Sequence, residues 1–160
     1  MAVDILLKID GVDGESKIAG HEDEIDILAM NWGMSNAGTM SIGGGGGAGR
    51  VDIQDLSLTK YVDKSTPSLM RSCCSGEHFT EAILTVRKSG GEALEYLVIT
   101  MEKVFVTSLT TGGSGDQDRV TENVTLNFAK FKSSYTPQKD DGSGDAAIDL
   151  TWNVETNIEE

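Results

Sequence analysis

The chain has 160 residues, enough to bury roughly 70% of its unfolded surface around one core without a disulfide or metal. Its 26 acidic and 13 basic residues leave a net charge of -13. That field repels a phosphate backbone and an anionic leaflet, which argues against nucleic acid and membrane surfaces as partners.

The opening segment, MAVDILLKID, alternates Val3, Ile5, Leu7 and Ile9 with other side chains and reads as a strand ending in the turn residues GVDG. It carries Asp4 and Lys8 and lacks the basic start and unbroken apolar run of a signal peptide, so no general secretory export is expected. Nor does any apolar run approach the roughly 20 residues that cross a bilayer, so no membrane insertion is expected.

The second segment, EIDILAMNWGM, begins with Ile25 and Ile27 on one parity and continues with Leu28, Met30 and Trp32 on the other. The third, VDIQDLSLTKY, passes in the same way from Val51 and Ile53 to Leu56 and Leu58. A change of parity within a strand predicts a bulge or sharp bend, and two bent strands predict a sheet that curls towards closure.

Between these segments lies NAGTMSIGGGGGAGR, residues 36–50, with five consecutive glycines at 43–47. Such a run offers no side chains to pack and reads as a long loop. A phosphate cradle would need Lys and Ser/Thr, or a helix, after the last glycine, whereas Arg50 leads into a strand-like VDIQD.

STPSLMRSCCSG supplies one helix, with Ser65 or Thr66 as cap, Pro67 in the first turn and Gly76 past the end. Cys73 and Cys74 lie about 100° apart on it and are expected as reduced, partly buried thiols.

Four further strands follow: EAILTVRK, LEYLVITMEKVFVTS, ENVTLNFAKFK, which shifts parity from Val124, Leu126 and Phe128 to Phe131, and AAIDLTWNV, linked by Gly/Ser/Asp turns. Seven strand-like segments and one short helix, without βα alternation, predict a mostly β sandwich or small barrel with a flanking helix, as one domain over 1–160.

The candidates for chemistry are weak. GSGDQD and DDGSGD lack EF-hand spacing and read as solvated turns. His21 beside Glu22 and His78 beside Glu77 have no nucleophile context and are expected in exposed turns. Asp52 with Asp55, or Glu22 with Asp23 and Glu24, form carboxylate pairs of a kind that 26 acids produce by chance, and aromatics are scarce for stacking a sugar. No catalytic residue, metal site or cofactor is expected.

Several stretches together resemble the Hcp family of bacterial type VI secretion. They are MAVDILLKIDGVDGES, the run from EIDILAMNWGM through GGGGGAGRVDIQDLSLTKYVDKSTPSLM, then LTVRKSGGE, YLVITMEKVFVTS, TGGSGDQDRVTENVTLNFAKF and YTPQK. The resemblance implies a small two-sheet β-barrel with one short flanking α-helix. It also implies a homohexameric ring that stacks into the inner tube of the machine. Implied partners are further copies of the chain, a VgrG-type spike protein, contractile sheath proteins and small effectors received in the lumen.

Under this resemblance the loop residues Met40, Ser41, Ile42, Gly43, Gly44, Gly45, Gly46, Gly47 and Arg50 are the expected ring-stacking contact. If Leu28, Met30 and Trp32 face the core, then Ala29, Asn31 and Gly33 face away from it and are the expected lumen face, Asn31 being the candidate for cargo contact. The protein is then cytoplasmic when assembled and leaves the cell without a signal peptide. The chain stops at Glu160, so no appended effector enzyme is expected. The alternative reading is a ligand- or carbohydrate-binding β module.

Overall fold

A computed structural model of the chain describes residues 3–38, 49–89 and 93–160. In chain order the strands are β1 (Val3–Ile9), β2 (Ile25–Ile27), β3 (Ala29–Asn31), β4 (Met34–Ser35), β5 (Asp52–Ile53) and β6 (Leu56–Tyr61). After the helix α1 (Thr66–Ser75) come β7 (Phe79–Lys88), β8 (Glu95–Gly112), β9 (Thr121–Asn127), β10 (Lys130–Tyr135), β11 (Ile148–Asn153) and β12 (Ile158–Glu159).

All pairings are antiparallel. The larger layer runs β12-β11-β10-β8-β7-β1-β2, and the smaller runs β3-β6-β9 onto the second half of β8. Strand β8 therefore belongs to both layers. It pairs with β10 up to Glu102, with β7 up to Val104, and with β9 from Phe105 on. Lys103, at φ 53, stands at the transition, in the left-handed region that a non-glycine residue rarely enters.

The second joint is Leu28, between β2 in one layer and β3 in the other. The three changes of parity in the sequence thus mark real breaks: Leu28, the Gln54–Asp55 step between β5 and β6, and the Phe128–Ala129 step between β9 and β10. Leu28 itself was expected inside. The bend turns it out, and it is 46% exposed. Among the described residues no ladder pairs β2 or β12 with the smaller layer, so the expected barrel closure is not made and the two layers form an open sandwich.

The core lies between the layers. Ile25, Leu56, Ala82, Leu84, Met101, Val104 and Leu126 are all fully withdrawn from solvent. Trp32 packs edge-on against Phe128 and Phe131, at centroid distances of 6.0 and 4.9 Å, and seals one end.

Helix α1 docks on β8 through buried Leu69 and Ser72. The Ser72 hydroxyl accepts from Val106 N–H and donates to the Glu77 carbonyl. Gly76, at φ 74, closes the helix with its N–H on Ser72 O, as expected of a glycine past the C-terminus. At the other end the expected cap is not made. Ser65 occupies the position, but its hydroxyl bonds Asp63, 2.5 Å away, instead of an orphan helix N–H. Cys73 and Cys74, expected partly buried, are both exposed, and as expected they are not bridged to one another.

Candidate functional site

The outward face of the smaller layer is set by strict alternation. Leu56, Leu58 and Lys60 on β6, and Glu122, Val124 and Leu126 on β9, point inward. Their neighbours point out and meet in register: Ala29 with Thr59, Asn123 and Thr110, and Asn31 with Ser57, Thr125 and Ser108.

This face is a sheet of short polar, uncharged groups on a chain of net charge -13. The hydroxyls bond one another laterally: Thr59 Oγ1 donates to Asn123 Oδ1 at 2.8 Å, and Thr125 Oγ1 lies 2.6 Å from both Ser108 Oγ and Thr107 Oγ1. Asp55, at the rim, accepts from Thr107 and Asn127.

Ala29 and Asn31 are exposed on this face, as alternation predicts. Gly33 is not on it. Strand β3 ends at Asn31, and Gly33 lies in the connection to β4, where its carbonyl accepts from Gln54 N–H.

The same connection roots the glycine-rich segment. β4 and β5 pair as a separate two-stranded ribbon, Met34 with Ile53 and Ser35 with Asp52. Trp32 Nε1 donates to Gln54 O at 2.8 Å, and Asn36 Nδ2 donates to Gly49 O at 2.8 Å. The ribbon is thereby held in register at its base and tied to the core through Trp32. Of the expected stacking residues, Met40, Ser41, Ile42, Gly43, Gly44, Gly45, Gly46 and Gly47 lie outside the described residues. Arg50 is described: it is exposed, and its Nη2 donates to Val154 O at 3.2 Å.

The weak chemical candidates stay apart. His78 stacks on Phe105, with centroids 5.3 Å apart, and has no carboxylate partner among the described residues. His21, expected in an exposed turn, is instead clamped. Its Nδ1 lies 2.8 Å from Glu24 and its Nε2 2.5 Å from Glu95, with the side chain only 12% exposed. Partial burial lowers its pKa, but the hydrogen bonds and charges of Glu95 and Glu24 outweigh that and hold it above its ordinary 6.5. Neither partner is the adjacent Glu22: Glu24 lies three residues on, and Glu95, 74 residues away, is brought in only by the fold.

Among the described residues no group of three or more His, Cys, Asp or Glu side chains is arranged to hold a metal ion, and no helix is long and apolar enough to cross a membrane.

The fold is an open β sandwich with a neutral outer face and a registered ribbon at one end. Comparison with known proteins specifies which kind. The family model described as type VI secretion system effector, Hcp, matches residues 6–135. Protein hcp1 of Pseudomonas aeruginosa is 56% identical over 161 residues, covering 99% of each chain. Hcp1 from Salmonella typhimurium superposes with a TM-score of 0.80 at 33% identity over 100% of both chains. A solved type six secretion system protein gives 0.94 at 28% identity, over 99% of this chain and 100% of that one. The chain belongs to the Hcp family, the secreted structural proteins of type VI secretion.

Proposed function

We propose that six copies of the chain form a ring, and that rings stack into the inner tube of a type VI machine, with a contractile sheath outside and a VgrG-type spike at the tip. The tube is assembled in the cytoplasm and expelled, and its lumen receives small effector proteins. The chain acts there by assembly and not by catalysis.

The observation that carries this reading is the uncharged hydroxyl and amide face around Asn31. A lumen wall must let proteins of either charge sit and travel. Hydrogen bonds of about 0.5–1.5 kcal/mol each allow that, whereas a wall as acidic as the rest of the chain would repel one class of cargo and hold another. The Asn31 amide is exposed on the edge strand of that face, where it can bond cargo directly.

The ribbon supports the stacking part. Its base is registered by Trp32, Asn36 and Arg50, so residues 40–47 are presented from a fixed root towards an adjacent ring.

Native mass measurement and negative-stain microscopy test the assembly: a six-subunit species and annular particles are expected, and a strict monomer at high concentration overturns the reading. Asn31→Arg tests the lumen, because a long cation in a neutral wall must alter cargo retention. Co-purifying effectors at unchanged abundance would refute the role of Asn31.

A further inference from the structure

One leucine is buried on the outer side of the larger layer. Alternation along β1 turns Ile5, Leu7 and Ile9 to the core and leaves Asp4, Leu6 and Lys8 facing out. Leu6 is nonetheless 0% exposed, although it is not part of the core cluster. Its partner on β7, Thr85, is 4% exposed on the same side. Something must lie over both, and the connection between β1 and β2 is placed to do so.

Residues 14–24 of that connection form a narrow loop with its own root. Gly14 N–H donates to Asp23 O at 2.7 Å, Ser16 N–H to Glu24 O at 2.9 Å, and Asp23 N–H back to Ser16 O at 3.0 Å. Ser16 is buried, and its hydroxyl bonds Asp26, the residue opposite Leu6 on β2. The loop is therefore folded back onto the outer side of the sheet.

Its far end is held by His21, between Glu24 at 2.8 Å and Glu95 at 2.5 Å. Glu24 precedes β2 and Glu95 opens β8, and the order β8-β7-β1-β2 puts β7 and β1 between them. The two anchors also differ in height. Glu24 adjoins Ile25, which is level with Leu7, whereas Glu95 is level with Arg87 and Asp4. A side chain bridging them crosses diagonally above the pair midway, Leu6 and Thr85.

This bridge needs a proton on each ring nitrogen. A carboxylate only accepts, so Nδ1 and Nε2 must both donate, and the ring must be the imidazolium. A neutral ring keeps one N–H and turns a lone pair on the other carboxylate. Glu95 is the end that yields: it is the more exposed carboxylate, and His21 is its one side-chain partner among the described residues. Burial alone would lower the His21 pKa, but the two carboxylates hold it above the ordinary 6.5.

The surrounding charges do not replace the latch. Glu22 accepts from Gly20 N–H, Asp26 from Ser16, and Asp4 pairs with Arg87 at 3.3 Å. Lys8, Lys17 and Asp23 are exposed, and Lys88 is bonded to Gln138.

We propose that residues 14–24 are a strap whose closure over Leu6 and Thr85 is governed by the proton on His21. The imidazolium latches the strap to β8. The neutral ring releases Glu95, and the loop lifts about its paired root while both layers of the sandwich stay folded. Mildly acidic surroundings thus lock this surface, and less acidic ones open it. The device belongs to one subunit and does not depend on the ring reading.

Thiol accessibility in the full chain tests it, in a Cys73→Ser, Cys74→Ser background. Thr85→Cys places a near-isosteric thiol under the strap, and Ala82→Cys places one on the core side of the same strand. With an uncharged maleimide at pH 6, His21→Gln is expected to raise labelling of the Thr85→Cys thiol by about tenfold or more and to leave Ala82→Cys unchanged. At pH 8.5 the rates with and without His21 are expected to converge, the ratio cancelling the thiol's own ionisation. Glu95→Gln gives the converse, because an amide can donate to a neutral ring nitrogen: its Thr85→Cys thiol is expected to stay protected at pH 8.5. Equal labelling with and without His21→Gln at pH 6 overturns the latch. So does a rise matched at Ala82→Cys, which is loosening of the whole fold, or a Glu95→Gln chain that opens at pH 8.5 as the parent does.

Discussion

Lys60 and Glu122 stand opposite one another across the β6–β9 ladder with side chains 1% and 0% exposed, and they form an ion pair inside the protein. The Lys60 ammonium also reaches Asp63 at 3.1 Å and the Tyr61 carbonyl at 2.9 Å, while Thr66 Oγ1 donates to Glu122 Oε1 at 2.7 Å. The group ties two strands to the first turn of α1. Glu122 Oε2 is buried without a bonding partner among the described residues.

Removing one partner leaves the other charge buried and uncompensated, so Lys60→Met is expected to cost about 3–5 kcal/mol in chemical denaturation. Replacing both, as Lys60→Met with Glu122→Leu, removes the charge stranded on Glu122, though Asp63 still loses its cation, and is expected to restore part of that loss. A double variant as unstable as the single one would show that the pair's hydrogen bonds, and not its charges, matter.

Gly14 is buried where the β1–β2 connection crosses the start of β2. A Cβ there would stand 2.6 Å from Ile25 Cα and press on the Glu24 carbonyl. These are backbone atoms and cannot rotate aside, so Gly14→Ala must push Ile25 out of the core. A loss of about 1–3 kcal/mol is expected, read as a lower denaturation midpoint. Gly20→Ala tests a different effect, because its Cβ would meet nothing within 4 Å and only the φ of 84 opposes it. It is expected to cost less.

Sequence alone showed the strands, the helix bounds and the three breaks, because each is written in local periodicity. The joint at Leu28 was legible as a change of parity, but the sidedness of Leu28 was not, since a bend turns a residue out regardless of its apolarity. Lys60 and Glu122 sat on the buried parity of their strands in plain view. Their pairing across 62 residues depends on register, which no local pattern contains. The same holds for His21 and Glu95, which lie 74 residues apart. Closure failed as an expectation for a related reason: bending was visible, but whether the last edges meet is decided by non-local pairing.

The His21 clamp makes stability depend on pH. Its folded pKa is raised above the ordinary 6.5, so its contribution is fully present below about pH 6.5 and is lost as pH rises through the folded value. Wild type should therefore exceed His21→Gln in melting temperature by more at pH 6 than at pH 8.5, because Gln keeps the shape and loses the charge. A difference that is constant with pH would mean that the clamp works by neutral hydrogen bonding alone.

Arg50 offers a test of the ribbon that leaves the core untouched. Its guanidinium is exposed and spans from the end of the glycine-rich segment to Val154 O, 104 residues away. Losing one exposed charge-assisted bond changes the stability of the sandwich by no more than about 0.5 kcal/mol. The base of the ribbon loses one of its fixings, however, and under the proposed stacking a base that must be ordered at each association weakens it without removing any contact between copies. Arg50→Ala is therefore expected to melt like wild type and to keep its ring. Its tubes should be shorter and dissociate at lower salt or higher dilution, measured as the ratio of stacked to single rings in sedimentation velocity. If that ratio is unchanged, Arg50 is an ornament of the surface and the stacking contact resides wholly within 40–47.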